Sequence, residues 1–147
     1  SAAAATCNPG IMPLLDYVKD YSEEQAYFKD AREGDFVIEV TGESMLPWYP
    51  EGTLLLVRPY QQLSNGKRVV AVLDDGEIVF KVYAANKDKI CLFSINGAGK
   101  DFIFDRDNVK IRYICTVIAS QKNEARLDTE MRRAGITHGW QKKLNNL

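Results

Sequence analysis

The sequence predicts a mostly β domain with an extended N-terminal arm and a short helical C-terminal tail. After residue 35, short runs of branched and aromatic residues alternate with turn-forming residues, a pattern typical of β-strands. Asp75-Gly76 separates two of these runs and favours a tight hairpin turn, because this pair tolerates a positive φ. Beyond Ser120 the composition becomes polar and helix-favouring.

Three segments follow from these patterns. Residues 1–20 form the predicted extended arm or linker, with Pro9-Gly10 and Pro13 as turn-forming residues. Residues 21–120 form the β domain, which opens with a predicted short helix over 23–32. Residues 121–147 form the helical extension, in which Gly135 separates two short helices.

Six strands are predicted in the β domain. They cover residues 36–40, 53–57, 68–73, 77–83, 90–93 and 109–119. In the fourth run, strand alternation places Lys81 on one face with Val79 and Tyr83. Phe80 and Val82 are apolar as well, which indicates a strand covered on both faces. The last run is long and suits a central strand or a subunit interface.

Composition excludes several classes of protein. A length of 147 residues fits one domain, and a formal charge of −1 lacks the basic excess typical of a DNA-binding module. An odd number of cysteines, three, favours free thiols in a reducing cytoplasm over a disulfide framework. No run approaches the about 20 apolar residues of a membrane span, and no His/Cys cluster has metal-ligand spacing. We therefore expect a cytoplasmic protein with no membrane partner, metal or cofactor.

Ser44 is the candidate nucleophile. It lies on a loop between two predicted strands, where the backbone N–H groups of Ser44 and Met45 are placed to bind an oxyanion. Judged by the local sequence alone, a solvated loop serine is the more common interpretation. A serine nucleophile also needs a base, and the single histidine, His138, lies far away in the tail.

Lys81 is the candidate base. A lysine must be neutral to accept a proton, so it needs an apolar site that lowers its pKa, and the predicted strand around Lys81 supplies one. The alternative is a lysine that protects an edge strand. Ser64 and Lys67 also have S-x-x-K spacing, but Asn65-Gly66 between them predicts a turn, whereas that motif acts on a helix.

Taken together, these motifs resemble the LexA and UmuD family of self-cleaving serine peptidases. The separation of Ser44 and Lys81 by 37 positions is similar to the spacing of that family, and the likeness extends from about residue 10 to 119. The similar positions are 40–45, 52, 54–57, 66, 69–71, 79–81 and 92–96.

The resemblance carries expectations for fold, activity and partners. It implies a LexA-like β fold, a Ser-Lys dyad of Ser44 and Lys81, cleavage of the chain's own linker, and a homodimer. It also implies a transcriptional repressor of the SOS type, whose operator DNA is bound by an N-terminal helix-turn-helix domain missing from this segment. A RecA filament acting as co-protease belongs to the same expectation.

Two departures from the family leave alternatives open. The family cuts an Ala-Gly or Cys-Gly bond, whereas the glycine in that register here, Gly10, follows Cys7-Asn8-Pro9. A proline before the cut restricts the backbone, so the chain is alternatively a weak or inactive dimerisation module. Thr53 also replaces the usual aspartate after Gly52. A third interpretation is a soluble signal-peptidase-like protease, because Ser44-Met45-x-Pro47 resembles the nucleophile motif of signal peptidases. The short separation of Ser44 and Lys81 in the sequence argues against it.

Overall fold

Seven strands and two helices form the regular structure of the described residues. The computed structural model describes residues 28–29, 31–40, 46–59, 62–94, 100–121, 124–134 and 139–147. The elements are β1 Phe36–Glu39, β2 Leu54–Arg58, β3 Arg68–Leu73, β4 Ile78–Ala85, β5 Lys89–Phe93, β6 Phe102–Asp105, β7 Ile111–Ser120, α1 Glu124–Arg133 and α2 Gly139–Asn145. The predicted mostly β fold with a helical C-terminal end is confirmed.

All seven strands belong to one antiparallel sheet of order β1-β2-β7-β3-β4-β5-β6. The longest strand, β7, is central, as its long apolar run indicated. β4 lies between β3 and β5, so it is not an edge strand. Gly76 has a φ of 89° in the turn between β3 and β4, which confirms the predicted hairpin.

The two faces of the sheet carry different apolar clusters. On one face, Val70, Val72 and Phe80 pack with Leu127 and Met131 of α1. On the other face, the alternate residues of β3, β4 and β5 form a second cluster; its members include Val69, Ala71, Val79, Tyr83 and Leu92. Since both faces are covered, the inner strands read as continuous apolar runs rather than as alternating ones.

Two local predictions need correction. The helix expected over 23–32 is absent from its described part, since residues 28, 29, 31 and 32 are not helical; the remainder lies outside the described residues. The reason is tertiary: the backbone N–H of Arg32 donates to Asp35 Oδ2 at 2.8 Å, and that carboxylate is held by Arg58. β6 was not predicted, because only four residues form it and their exposure alternates at the sheet edge.

The described cysteines differ in state. Cys91 in β5 is a buried free thiol, and burial raises its pKa to about 11. Cys115 in β7 is disulfide-bonded, which corrects the expectation of free thiols drawn from the cysteine count. Spacing along the chain did not reveal this, because a disulfide depends on distance in space. Neither α1 nor α2 is long and apolar enough to cross a membrane.

Candidate active site

Lys81 occupies a buried position in the middle of β4. Its side chain is only 4% exposed. The antiparallel register pairs it with Val69 of β3, which is fully buried, and Val79 and Tyr83 flank it on the same face. The predicted apolar strand site for this lysine is confirmed, and the edge-strand alternative is excluded.

The polar partner of Lys81 is Ser94, at the end of β5. The Lys81 amine donates to Ser94 Oγ at 2.8 Å, and Ser94 is itself 5% exposed. Val82 pairs with Phe93, so the next position along the ladder sets Lys81 directly across from Ser94 on one face. Lys81 Nζ also lies 5.9 Å from the centre of the Phe102 ring. The lysine is thus held by one hydroxyl and one aromatic face.

An ion pair continues this network away from the sheet. The backbone N–H of Ser94 donates to Asp101 Oδ1 at 2.9 Å. The other oxygen of that carboxylate, Oδ2, accepts from Lys143 Nζ of α2, also at 2.9 Å. The Lys143 amine lies 5.5 Å from the centre of the Phe93 ring. Two hydrogen bonds, through Asp101, therefore connect Lys143 of the helical extension to Ser94, the partner of Lys81.

The electrostatics of the site lower the pKa of Lys81. Burial lowers its pKa from the ordinary value, because an ammonium loses its water shell there. The carboxylates of Asp101 and Glu77 oppose this effect, while the cation of Lys143 adds to it. Burial outweighs the attraction of the two carboxylates, so the net pKa is lowered.

The loop that carries Ser44 is described only at its ends. Ser44 and Met45 lie outside the described residues, as do Cys7, Asn8, Pro9 and Gly10, so the dyad, the oxyanion site and the cleavage region stay predictions.

The described ends of that loop are firmly anchored. The N–H of Val40 donates to the carbonyl of Thr53 at 2.8 Å, which closes the base of the loop. Thr53 Oγ1 donates to the carbonyl of Pro50, so the threonine in place of an aspartate keeps a turn contact. Tyr49 is fully buried and packs edge-on against Phe80, with ring centres 4.9 Å apart. Phe80 is the residue that precedes Lys81 in β4.

Comparison with known proteins identifies the family of the chain. A sequence model of the family described as Peptidase S24-like matches residues 3–118. The chain belongs to this family. The S24-like match confirms the resemblance to LexA, and it ends before α1 and α2 begin.

Curated relatives agree with the S24-like assignment. The LexA repressor of Thermotoga petrophila is 33% identical over 98 residues, which are 66% of this chain and 49% of that protein. The LexA repressor of Thermotoga maritima is 32% identical over 98 residues, which again are 66% of this chain and 49% of that protein. This chain therefore spans about half the length of these relatives.

Sequence reasoning found one described member of the site and missed three. Lys81 was identified, whereas Ser94, Asp101 and Lys143 were not. A signal for Ser94 existed: a hairpin turn between residues 85 and 90 sets position 81 opposite position 94. No comparable signal marked the other two, because their contact joins positions 42 residues apart.

Proposed function

We propose that this chain is the self-cleaving C-terminal half of a transcriptional repressor, with Ser44 as nucleophile and Lys81 as base. The observation that carries the proposal is the state of Lys81, a nearly inaccessible amine with a lowered pKa. A buried lysine is costly to keep, and its usual chemical use is as a neutral base or nucleophile. Membership of the S24-like family supports the peptidase assignment.

Acylation of the serine needs two proton transfers by the same amine. Neutral Lys81 takes the Ser44 hydroxyl proton as Oγ attacks the carbonyl carbon of a peptide bond in the arm. The backbone N–H groups of Ser44 and Met45 stabilise the oxyanion that forms. The resulting ammonium then returns its proton to the departing amine, and water releases the acyl group from the serine by the reverse sequence.

Ser94 supports this mechanism by orienting the base. A neutral amine has one lone pair and two N–H groups. Ser94 Oγ accepts one of these N–H bonds at 2.8 Å, and Lys81 is only 4% exposed to solvent. The lone pair is then left for the nucleophile. In this proposal Ser94 is a positioning residue.

The site of the cut is proposed to lie within Cys7-Asn8-Pro9-Gly10. Pro9 is the observation that favours the alternative, a dimerisation module without activity, since proline fixes φ near about −65° at the acyl position. A cut elsewhere in the arm would reconcile the proline with activity.

The partners of the whole protein are proposed from the names and lengths of its relatives. Proteins named LexA repressor are about twice as long as the matched part, so we propose a helix-turn-helix domain N-terminal to this chain that binds operator DNA. A homodimer formed by this domain, a cytoplasmic location and a RecA filament as co-protease complete the proposal. Light scattering at high micromolar concentration tests the dimer, and a monomer alone would contradict it.

Intact mass spectrometry across pH tests the self-cleavage. The chain is incubated between pH 7 and pH 10, and conversion to fragments is followed over time. Because the pKa of Lys81 is lowered, the rate of cleavage should rise with pH as the neutral fraction of its amine grows. The rate should become constant at a lower pH than it would for an ordinary lysine, whose pKa is 10.5. A histidine base would instead give a plateau by about pH 8.

Three variants assign the roles. Ser44→Ala and Lys81→Arg should each abolish cleavage, since arginine stays charged throughout this range. Ser94→Ala should retain cleavage at a rate about tenfold lower, because only orientation of the base is lost. Cleavage that survives Ser44→Ala but not Ser94→Ala would make Ser94 the nucleophile. An unchanged mass at every pH would favour the inactive dimerisation module.

A further inference from the structure

The helical extension contributes to the base site. We propose that Lys143 of α2 is a positioning residue for self-cleavage: its cation binds and neutralises the Asp101 carboxylate, which holds the backbone of the Ser94 that binds Lys81. This inference rests on the proposed function. It assigns a role to a segment that lies beyond the S24-like match, which ends at residue 118.

Packing fixes the part of α2 that carries Lys143, whose own side chain is 38% exposed. Its neighbour Leu144 is 8% exposed and packs against Ala84, Cys91 and Phe93, on the face of β4 and β5 opposite Lys81. The Lys143 amine lies 5.5 Å from the centre of the Phe93 ring and donates to Asp101 just beyond the end of β5.

A second contact fixes the start of α2. Trp140 lies against Gly66, where a Cβ atom would come within 3.1 Å of the indole ring. Gly66 has a φ of 89° and sits in the turn that precedes β3. The helix is therefore held at both ends, and the position of the Lys143 amine follows from this docking.

Asp101 connects the two lysines. Its Oδ1 accepts the backbone N–H of Ser94, which fixes the end of β5, and its Oδ2 accepts from Lys143. Without a cation beside it, this carboxylate would attract a proton onto Lys81 and work against the base. Lys143 neutralises that attraction and keeps the carboxylate aimed at Ser94.

Few charged groups surround Lys81 among the described residues. Asp101 and Glu77 raise its pKa and Lys143 lowers it, each in addition to the larger effect of burial. Lys100 lies over the same Phe102 ring, at 5.1 Å, and is exposed. Tyr83, on the same face, has a pKa raised by burial and stays neutral below it. Among these cations, removal of Lys143 should therefore change the pKa of Lys81 most.

A double-mutant cycle on the 147-residue chain tests the inference through the rate of self-cleavage. At pH 7, Lys143→Met should lower the rate about three- to tenfold, because Asp101 then stabilises the Lys81 ammonium. Asp101→Asn should raise the rate, since the amide keeps the acceptor for Ser94 and loses the charge. The double variant should return to within about twofold of the parent.

Matched controls separate charge from docking. Lys142 is an exposed neighbour on the same helix, so Lys142→Met should leave the rate unchanged. Lys143→Arg should keep the parental rate, because it preserves the cation. If Lys143 only docks the helix, Asp101→Asn will not restore the rate of Lys143→Met, and that result would overturn the inference.

A second readout does not depend on cleavage. In a Ser44→Ala background, the pH titration of the Lys81 side chain is followed by NMR of carbon-labelled lysine, with assignment by Lys81→Arg. Its midpoint should move up in Lys143→Met and down in Asp101→Asn. If these shifts occur while the parent chain with Ser44 shows no cleavage at any pH, the link between Lys143 and Lys81 stands and the proposed function fails. Normal cutting with no shift in either variant would refute the inference alone.

Discussion

Replacing Lys81 by methionine should stabilise the protein at neutral pH. The side chain is 4% exposed, and removing an ammonium from water costs several kcal/mol. The folded protein offsets part of this cost: the ammonium donates a hydrogen bond to Ser94 Oγ, about 2 kcal/mol for a charged donor, and contacts the Phe102 ring, about 0.5–1 kcal/mol. Methionine has similar length and no charge. After the Ser94 hydroxyl loses its partner, we expect a net gain of about 1–2 kcal/mol.

The gain should disappear as the pH rises. The folded pKa of Lys81 is lowered from 10.5, so between that folded value and 10.5 the unfolded chain binds more protons than the folded one. Stability of the parent therefore increases with pH across this window. Lys81→Met has no amine to titrate, and its advantage should be full below the folded pKa and mostly lost at pH 10.

Urea unfolding at pH 7 and pH 10 measures both effects. Both chains carry Ser44→Ala to prevent cleavage, and tryptophan fluorescence reports unfolding. Lys100→Met is the matched control, because Lys100 contacts the same Phe102 ring from an exposed position; it should change stability by less than about 0.5 kcal/mol. A destabilised Lys81→Met chain, or a gain equal at both pH values, would refute this account of the buried amine.

Two further substitutions test the scaffold. Asp35→Ala should cost about 3 kcal/mol in urea unfolding at pH 7, because it leaves Arg58, 2.9 Å away and only 15% exposed, without its carboxylate; a loss below about 1 kcal/mol would contradict a structural role for the pair. Gly66→Ala and Gly76→Ala should each cost about 1–2 kcal/mol for a positive φ of 89°. Gly66→Ala should cost about 1 kcal/mol more than Gly76→Ala, because a Cβ at Gly66 meets Trp140 whereas a Cβ at Gly76 meets no atom within 4 Å. Equal shifts of the melting temperature in the two variants would show that the contact with Trp140 is unimportant.

The sequence predicted those parts of the fold that local patterns determine. Branched runs on either side of Asp75-Gly76 gave β3 and β4 with their hairpin, and apolar neighbours on both sides gave the burial of Lys81. Ser94 was missed because its contact depends on strand register rather than on composition. The ion pair of Asp101 and Lys143 joins distant segments, and a basic residue in a polar tail carries no mark of such a partner.

The position of β7 has a consequence for how the chain assembles during synthesis. β7 is the last strand made, yet it lies between β2 and β3 and is the element that pairs with both among the described strands. The first two strands and the β3-to-β6 group have no ladder between them until residues 111–120 have left the ribosome. Until then, β2 and β3 each present an unpaired edge to other chains.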